Sequence, residues 1–533
     1  MKIKSKSLRV GITLLLGLML YYIWLPPINL QDPSLYIFLL FIIGIYASTG
    51  VLTLINGPII FKSIGKLPRK ITLLSGSIIG VVLLIMLVNF ICSPVFNSNA
   101  WSKRITIMDD KNFTDDIKEV DFSKVPLLDK DSSQKLGDRV MGQMSELVSQ
   151  FYVSDLYTQI NYNNEIVRVT PIEYNGFIKW LNNKKNGTKG YIKVNSVSGE
   201  AELIKLSNGM KYVPSAYFSK DLMRKLRFKY PTTIFGYYSF EIDNEGNPYW
   251  VVPTIKYTGI GAREDINGVV LLDPITGKSK KYKLDKVPTW VDQVFSANLI
   301  INQINSWGMY KGGYFNSLFS QNGVVQTTEG YNYLVNDDDV YMYTGITSVS
   351  TDESNIGFVL TNLRTKETNF YQVPGAEEYS AMASAEGQVQ QMKYISSFPL
   401  LINLNNRPTY LMSLKDNAGL VKMYAFVDVV DYQKVVVTDS TLGINVAAQN
   451  YLSNANLSVG ESSNIITKEI IISTINSAVI DNNTYYYIKD TNNKKYKTSI
   501  KTNNNLLPFI KSGDKVTIEY YKEQDVIEIV KIK

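Results

Sequence analysis

The chain has few residues that could do chemistry, and the most suggestive of them are the consecutive Gly277, Lys278 and Ser279. A phosphate-binding loop needs a second glycine five residues before the Gly-Lys pair and a helix directly after the serine, because backbone N–H groups must face the phosphates. Leu272 stands at the upstream position, and the residues after Ser279 alternate as in a strand. We therefore interpret the triplet as part of a turn and predict no nucleotide site.

Metal and nucleophile chemistry is limited by composition. The chain has no histidine, and its one cysteine is Cys92. Zinc sites and the Ser-His-Asp and Cys-His arrangements need these residue types, so they are excluded. A Ser-Lys dyad or a carboxylate pair stays open, but no spacing indicates either one. We therefore predict no catalytic, cofactor-binding or metal-binding residue and no cofactor.

Two polar segments are weaker candidates for binding. The run Asp337–Asp339 offers carboxylate oxygens that suit Ca²⁺, but hairpins elsewhere in the chain carry ordinary turn residues at the same place, which favours a turn. The segment Gly261–Gly268 (GAREDING) combines charge with glycine. It is either a binding loop or a solvated one.

The apolar residues are concentrated at the front. Three segments, 10–30, 35–55 and 71–91, each carry roughly 20 mainly apolar residues, which is the length that crosses a bilayer. Basic residues precede the first segment and lie between the second and third, whereas the link between the first two carries only Asp32. By the positive-inside rule, we predict a multi-pass anchor of three helices with a cytoplasmic N-terminus. The membrane is then the first partner, and everything after about residue 98 is extracytoplasmic.

The net charge of +7 comes from this anchor. The first 100 residues hold eight basic side chains and one acidic one, and the rest of the chain has 47 of each. The outer region is therefore neutral and has no basic surface of the kind that binds nucleic acid. The many Lys, Asn, Ile and Tyr residues are typical of a bacterial source.

A hairpin pattern recurs along the outer region. In VVLLDPITGKSKKYKL (269–284), four strand residues lead into Asp273, a turn, Gly277 and a return strand. Segments 191–206, 358–373 and 424–437 repeat it, with Asn195, Asn362 and Asp428 at the Asp position. A helical stretch and a strand-turn-strand precede each copy, and three of the helical stretches follow a Val-Pro pair, which suits a first helical turn.

The turn in LLDPITGKSKKY resembles that of PepSY-type modules, in which a strand enters an Asp-x-x-Thr-Gly turn. The resemblance spans about residues 132–437. It implies a helix packed on an antiparallel sheet and a non-catalytic binding or inhibitory role in the cell envelope. No functional residue carries over from it.

The C-terminal part reads as five short strands with Asn-rich turns. The segment LLPF (506–509) before SGDKVTIEYY is similar to the corresponding part of a small OB-type barrel. Lysine and tyrosine interleave there as in single-strand binders, but aromatic residues also fill ordinary strands, which is the reading we favour.

The sequence thus predicts an α+β protein with three N-terminal transmembrane helices, tandem helix-plus-antiparallel-sheet repeats and a small OB-like β-barrel. Its expected function is binding or scaffolding at the cell envelope, with an envelope protein or a cell-wall glycan as partner. The alternatives are a carboxylate-based glycan hydrolase and a subunit of a transport or secretion complex. The predicted divisions are an anchor at 1–98, a connector at 99–130, repeats at 131–206, 213–284, 288–373 and 374–437, a helical linker at 438–466 and the barrel at 467–533.

Overall fold

The computed structural model describes residues 2–55, 69–336, 339–349, 354–454, 466–480, 483–520 and 525–533. The helices are α1 Lys2–Trp24, α2 Pro33–Ile55, α3 Arg69–Ile91, α4 Pro94–Ser102, α5 Phe113–Asp116, α6 Lys130–Gly142, α7 Ser145–Val148, α8 Phe177–Asn183, α9 Leu222–Lys229, α10 Ala297–Tyr310, α11 Glu378–Gln388 and α12 Ile444–Asn454. The strands are β1 Ile107–Lys111, β2 Phe151–Val153, β3 Thr158–Tyr162, β4 Glu165–Tyr174, β5 Thr188–Asn195, β6 Ala201–Met210, β7 Ile234–Phe235, β8 Ser239–Ile242, β9 Pro248–Thr258, β10 Arg263–Leu272, β11 Ser279–Tyr282, β12 Val325–Thr327, β13 Asn332–Asn336, β14 Asp339–Ser348, β15 Ser354–Asn362, β16 Thr368–Tyr371, β17 Gly375–Ala376, β18 Ile395–Ser396, β19 Leu400–Leu404, β20 Arg407–Lys415, β21 Val421–Asp428, β22 Val435–Asp439, β23 Ile466–Ile480, β24 Asn483–Asp490, β25 Lys495–Ser499, β26 Lys515–Tyr520, β27 Val526–Glu528 and β28 Lys531–Ile532.

The prediction of three membrane-spanning helices is wrong. Among the described residues, one helix is long and apolar enough to cross a bilayer, and it runs from Ser7 to Trp24. A second span is obtained only if Gly76–Ile91 and Pro94–Ser102 are counted together across a bend of 56°. Among the described side chains of α2, the apolar run Pro33–Thr49 is shorter than the roughly 20 residues that a bilayer needs. The helices α2 and α3 end at Ile55 and Ile91, where their apolar segments end, but hydrophobicity alone did not show the bend after Ile91.

Four sheets share one topology. In each sheet, the long third strand pairs with the first two strands on one side and with the fourth on the other, and the fifth strand closes the edge. We call each sheet, together with the helix that precedes it (α6, α9, α10 or α11), a unit, and we number the units 1 to 4. Their strands are β2–β6, β7–β11, β12–β16 and β18–β22, and β1 and β17 join the sheet of unit 3.

The hairpin turn of each unit is held by one side chain at its first position. In unit 2, the Asp273 carboxylate accepts the backbone N–H groups of Ile275 and Thr276. Asn195, Asn362 and Asp428 make the same pair of bonds in units 1, 3 and 4. An Asx side chain is needed because its oxygen reaches the backbone two and three residues ahead.

The next carbonyl group of each turn binds the segment that leads into the helix of the same unit. Tyr212 N–H donates to the Pro274 carbonyl in unit 2, and Phe295 N–H donates to that of Leu363 in unit 3. The matching pairs are Leu128 with Ser196 and Ala376 with Val429. The turn therefore fastens the chain two residues before α6, α10 and α11 and ten residues before α9.

The helices begin later than the sequence predicts, and before α10 the bonds from Val294 and Phe295 to the Leu363 carbonyl hold the preceding residues outside the helix. The Val-Pro pairs were expected to open the helices, but α9 begins eight residues after Pro214 and α10 nine residues after Pro288. The intervening residues contribute the extended segment or loop. The actual caps are Asp221 and Ser296, whose side chains accept the N–H groups of Arg224 and Leu299.

The sheets are buried on both faces, and strand alternation sends side chains into two different cores. In β10, Val270 and Leu272 join the core shared with unit 1 and α9. Val269 and Leu271 join the core shared with α10 and unit 3. The same division recurs between units 3 and 4, whose shared core contains α11, and α12 covers the far face of unit 4.

The segment predicted as a connector is part of the fold instead. β1 pairs in parallel with β16 at the edge of unit 3, and Glu119 bridges to Asn403 of unit 4. Phe122 packs edge-on against Phe426 of unit 4, 6.0 Å between ring centres. Residues 103–128 therefore cover units 3 and 4 before the chain enters α6.

The C-terminal sheet closes on itself. β24 pairs with β23 and β25, and β23 pairs with β26. The last segment of the chain pairs with β25 through β27 and with β26 through β28, because Ile529 and Val530 donate to opposite neighbours. The result is a small closed barrel with its own core. Its resemblance to the OB type stays a prediction.

Candidate functional site

The second strands of three units meet at the centre of the molecule. The first halves of β3, β13 and β19 surround a cavity of about 410 Å³, which is also lined by β4, by β20 and by the segment before α6. The other halves of the same strands line a smaller cavity of about 340 Å³. We call the first of these the central cavity. Its volume falls in the range of small-molecule sites.

The central cavity contains a buried cation. Arg168 lies in the middle of β4, and its side chain is almost fully enclosed, with the residue 6% exposed. One of its terminal nitrogens, Nη2, donates to the Gln159 Oε1 atom over 2.7 Å. Its Nε atom has no hydrogen-bond partner in the part of the chain that the structure describes. Burial lowers the pKa of the guanidinium to about 10, so it is still charged at neutral pH.

Gln159 presents a second donor to the same cavity. The residue is 1% exposed, and its Oε1 atom is taken by Arg168. This bond fixes the orientation of the amide, since only an oxygen accepts from a guanidinium. The Nε2 group of Gln159 then points away as a donor, and no described atom accepts from it.

An ion pair closes one wall of the central cavity. The Asp129 carboxylate caps α6 by accepting the Ser132 N–H over 2.9 Å, and it pairs with the ammonium of Lys415 from unit 4. Burial raises the pKa of Asp129, but the bonds from Lys415 and Ser132 outweigh it and hold the pKa below the usual value. This pair joins unit 1 to unit 4 and is locally neutral.

Two carboxyl groups lie behind the cavity, and both are enclosed. The Glu241 carboxylate accepts the backbone N–H groups of Asp292 and Gln293, and Asp292 accepts that of Asn161. Burial raises the pKa of Glu241 to about 7, and burial followed by repulsion from Glu241 raises that of Asp292. A polysaccharide cannot reach this pair, since both residues are at most 1% exposed.

The acidic run predicted as a possible Ca²⁺ site is only partly visible. Asp337 and Asp338 lie outside the described residues. The Asp339 carboxylate is engaged by the Arg364 guanidinium at 2.6 and 2.8 Å and by the Asn362 amide at 2.7 Å. Among the described residues, no cluster of three or more His, Cys, Asp or Glu side chains is arranged to hold a metal ion.

The candidate binding loop Gly261–Gly268 is mostly a strand. Residues 263–268 belong to β10, which pairs with β9. The Asp265 carboxylate accepts from Lys366 and Gln303, and the Glu264 carbonyl accepts from Arg104. Its polar groups therefore tie units 2 and 3 to the segment after α4, and this loop prediction is wrong.

A larger cavity, about 850 Å³, lies between α6, unit 4 and the barrel. Three of its lysines already have partners, since Lys135 donates to the Ala418 carbonyl while Lys422 and Lys501 pair with Asp416 and Asp439. The central cavity differs because its arginine, Arg168, is buried and has a donor without a partner among the described residues. It is the stronger candidate for a site.

Sequence reasoning missed Arg168 and Gln159. The available signal was the segment IVRVTPI (166–172), in which one arginine interrupts a mainly apolar strand. Comparison with known proteins adds no assignment, because no protein-family model matches the chain and no curated protein is significantly similar to it.

Proposed function

We propose that this chain is a membrane-anchored binding protein of the cell envelope, with α1 as its anchor and a small-molecule site in the central cavity. The observation that carries the proposal is the seating of unit 2 on the end of α1. Ile28 N–H donates to the Pro231 carbonyl over 2.8 Å, and Arg227 donates to the Leu25 carbonyl over 2.9 Å. A region held this closely to the end of an apolar helix lies at the bilayer surface.

Charge supports an extracytoplasmic position for the units. Lys2, Lys4, Lys6 and Arg9 precede or begin the apolar run of α1, and cytoplasmic flanks are rich in Lys and Arg. With α1 as the anchor, the N-terminus is cytoplasmic and the units and the barrel lie on the other side.

Binding is favoured over catalysis by the kind of groups that converge. The central cavity brings together a buried arginine, a buried amide donor and aromatic rings, and its inner carboxylate, Asp129, is already paired with Lys415. The resemblance of the Asp273 turn to PepSY-type modules agrees with a binding role. The hydrolase alternative gains no support, because the close carboxyl pair Glu241 and Asp292 is enclosed.

The anchor and its orientation are tested with a single cysteine. In a Cys92→Ser background, Val479→Cys places a thiol on the barrel, where Val479 is 71% exposed. We expect a membrane-impermeant maleimide to label it in intact cells, and Lys4→Cys to be labelled only after lysis. Labelling of the barrel cysteine only after lysis contradicts the orientation, and recovery of the chain in the soluble fraction contradicts the anchor.

The binding role is tested by thermal unfolding of the detergent-solubilised full chain with a panel of anionic, cationic and neutral small molecules. Ser397→Phe fills the central cavity, which Ser397 lines, and Ser149→Phe on the exposed surface is the matched control. We expect at least one class to stabilise the wild type and the control but not the filled variant. The proposed binding role fails if no class distinguishes them.

A further inference from the structure

We propose that the central cavity binds its ligand through an oxyanion, a carboxylate or a phosphate group, held by Arg168 and by the Nε2 group of Gln159. This inference rests on the proposed function and names the ligand class for the same site. It starts from a guanidinium with one described hydrogen bond, to Gln159.

A buried, unpaired charge is costly, and proteins normally pair it. No described carboxylate lies within ion-pairing distance of Arg168, and its Nε atom is without a partner among the described residues. The nearest full negative charges do not substitute for a ligand. Asp129 is already neutralised by Lys415, and Asp131 is exposed to solvent at the mouth.

The available donors match an oxyanion in number and kind. A guanidinium presents several N–H groups in a fixed plane, which suits the two oxygens of a carboxylate or of a phosphate. The Gln159 Nε2 group adds a further donor beside it. Both side chains are held by strands rather than by loops, so the donors are set in place before a ligand arrives.

The rest of the wall selects against a bare ion. Phe398, Leu400 and Met412 line the cavity with apolar surface. A volume of about 410 Å³ is also much larger than one carboxylate or phosphate group. The fitting ligand therefore carries an apolar or aromatic body behind its acidic group.

The experiment uses the full chain in detergent with benzoate, phenyl phosphate and benzamide at constant ionic strength, and measures affinity by calorimetry. Benzamide has the shape of benzoate without its charge. We expect at least one of the two anions to bind at least about tenfold more tightly than benzamide, since hydrogen bonds to a buried charge are worth about 1.5–3 kcal/mol. Comparing benzoate with phenyl phosphate distinguishes a carboxylate ligand from a phosphate one.

Three variants locate the anion. Arg168→Gln and Gln159→Leu remove the donors, and we expect each to lower anion affinity without weakening benzamide. Asp131→Asn removes a negative charge that repels the anion at the exposed mouth of the cavity, a position where substitution does not threaten the fold. It should tighten anion binding about two- to fivefold. If a donor variant fails to fold, the Asp131→Asn result decides.

The inference is overturned if neither anion binds better than benzamide, or if Asp131→Asn leaves anion affinity unchanged. Should benzamide or a cationic compound bind in the cavity while the anions do not, the binding function stands and only the ligand class is wrong. Binding of no compound of any charge in the broader panel, with no effect of Ser397→Phe, removes the proposed function itself.

Discussion

Glu241 is a carboxyl group whose environment destabilises its ionised form. It is fully buried between units 2 and 3, and burial raises its pKa from 4.5 to about 7 although three donors favour the ionised form. In the unfolded chain it ionises near its ordinary value. Between these two pKa values the folded state holds more protons, so the free energy of unfolding falls as the pH rises.

We expect the full chain to be less stable at pH 8 than at pH 5. Glu241 alone contributes roughly 2–3 kcal/mol to the difference. Its stabilising effect is greatest below the pKa that it has in the unfolded chain and is lost above the pKa that it has in the folded chain. The chain has no histidine, so no imidazole titrates in this window. Carboxyls with lowered pKa values, such as Asp129, titrate below it. Urea unfolding followed by tryptophan fluorescence at the two pH values measures the effect.

Glu241→Gln is the control for this prediction, since glutamine keeps the shape and does not titrate. We expect the variant to show a smaller loss of stability between pH 5 and pH 8 than the wild type. Equal pH dependence of both proteins would show that Glu241 does not carry the effect, and an increase in wild-type stability with pH would contradict the direction of the shift.

Arg168 shows how far the site could be predicted from sequence. An arginine inside IVRVTPI indicates a buried charged residue with a functional role, because lone arginines are rare in apolar strands. The residues that surround Arg168 could not be predicted, because the cavity walls come from units 1, 3 and 4 and lie in separate segments between residues 126 and 413. Sequence periodicity carries no information about such contacts.

At the scale of the element, the hairpin turn decides how each unit is assembled. The residue at the end of the turn packs against a large side chain from the segment that precedes the helix. Gly277 faces the ring of Tyr212, Gly199 faces Leu128, and in unit 3 the Lys366 ammonium lies over the ring of Phe295. At Gly277, the glycine therefore reflects a close approach as well as a positive φ.

We expect Gly277→Ala to destabilise the chain by about 2 kcal/mol or more. The backbone there has φ +73°, which costs a residue with a Cβ atom about 1 kcal/mol, and the new methyl group would lie 2.4 Å from ring carbons of Tyr212. Thermal or urea unfolding of the full chain gives the loss directly.

Gly513→Ala is the matched control, because Gly513 has φ +94° and no atom within 4 Å of an added Cβ. Its free energy of unfolding should fall only by the conformational cost of a positive φ, about 1 kcal/mol. In a Tyr212→Ala background, the additional cost of Gly277→Ala should shrink toward this value. Equal losses at the two glycines would mean that the contact with Tyr212 is unimportant.

The same hairpin shows which local structure could be predicted from the sequence and which could not. The hairpin of 269–284 is confirmed, with Val269 opposite Tyr282 and Leu272 opposite Ser279, because alternation and turn chemistry are local signals. The start of α10 was wrong by nine residues, because the extended segment after Pro288 is held by a carbonyl more than 60 residues away, that of Leu363.

At the scale of the whole molecule, unit 2 is fastened to more than one N-terminal helix. Arg224 donates to the Tyr22 carbonyl of α1, Gly261 N–H donates to the Gln31 carbonyl before α2, and the Asn89 amide of α3 bonds to both N–H and C=O of Ile260. These contacts give the units a fixed orientation relative to the end of α1. With α1 as the proposed anchor, we expect one face of unit 1 to be directed toward the bilayer surface.

That face carries exposed apolar side chains. Phe177 and Ile178 of α8 are 41% and 61% exposed, and Phe177 packs near Phe218, whose carbonyl accepts from Arg224. Arg224 in turn lies over the ring of Tyr22 near the end of α1. Aromatic side chains near the end of a membrane-spanning helix are typical of the membrane–water interface.

We expect Ile178 to contact lipid in the anchored protein. A polarity-sensitive fluorophore attached to Ile178→Cys in the Cys92→Ser background should emit at shorter wavelength, and be quenched by brominated lipids, after reconstitution into vesicles. The matched control is Val479→Cys on the barrel, which is 71% exposed and should behave as in water. Because both labels start from exposed apolar positions, a difference between them reports depth in the bilayer rather than hydrophobicity. Equal emission and no quenching at either position would place α8 away from the membrane and contradict the orientation fixed by the contacts of unit 2 with α1.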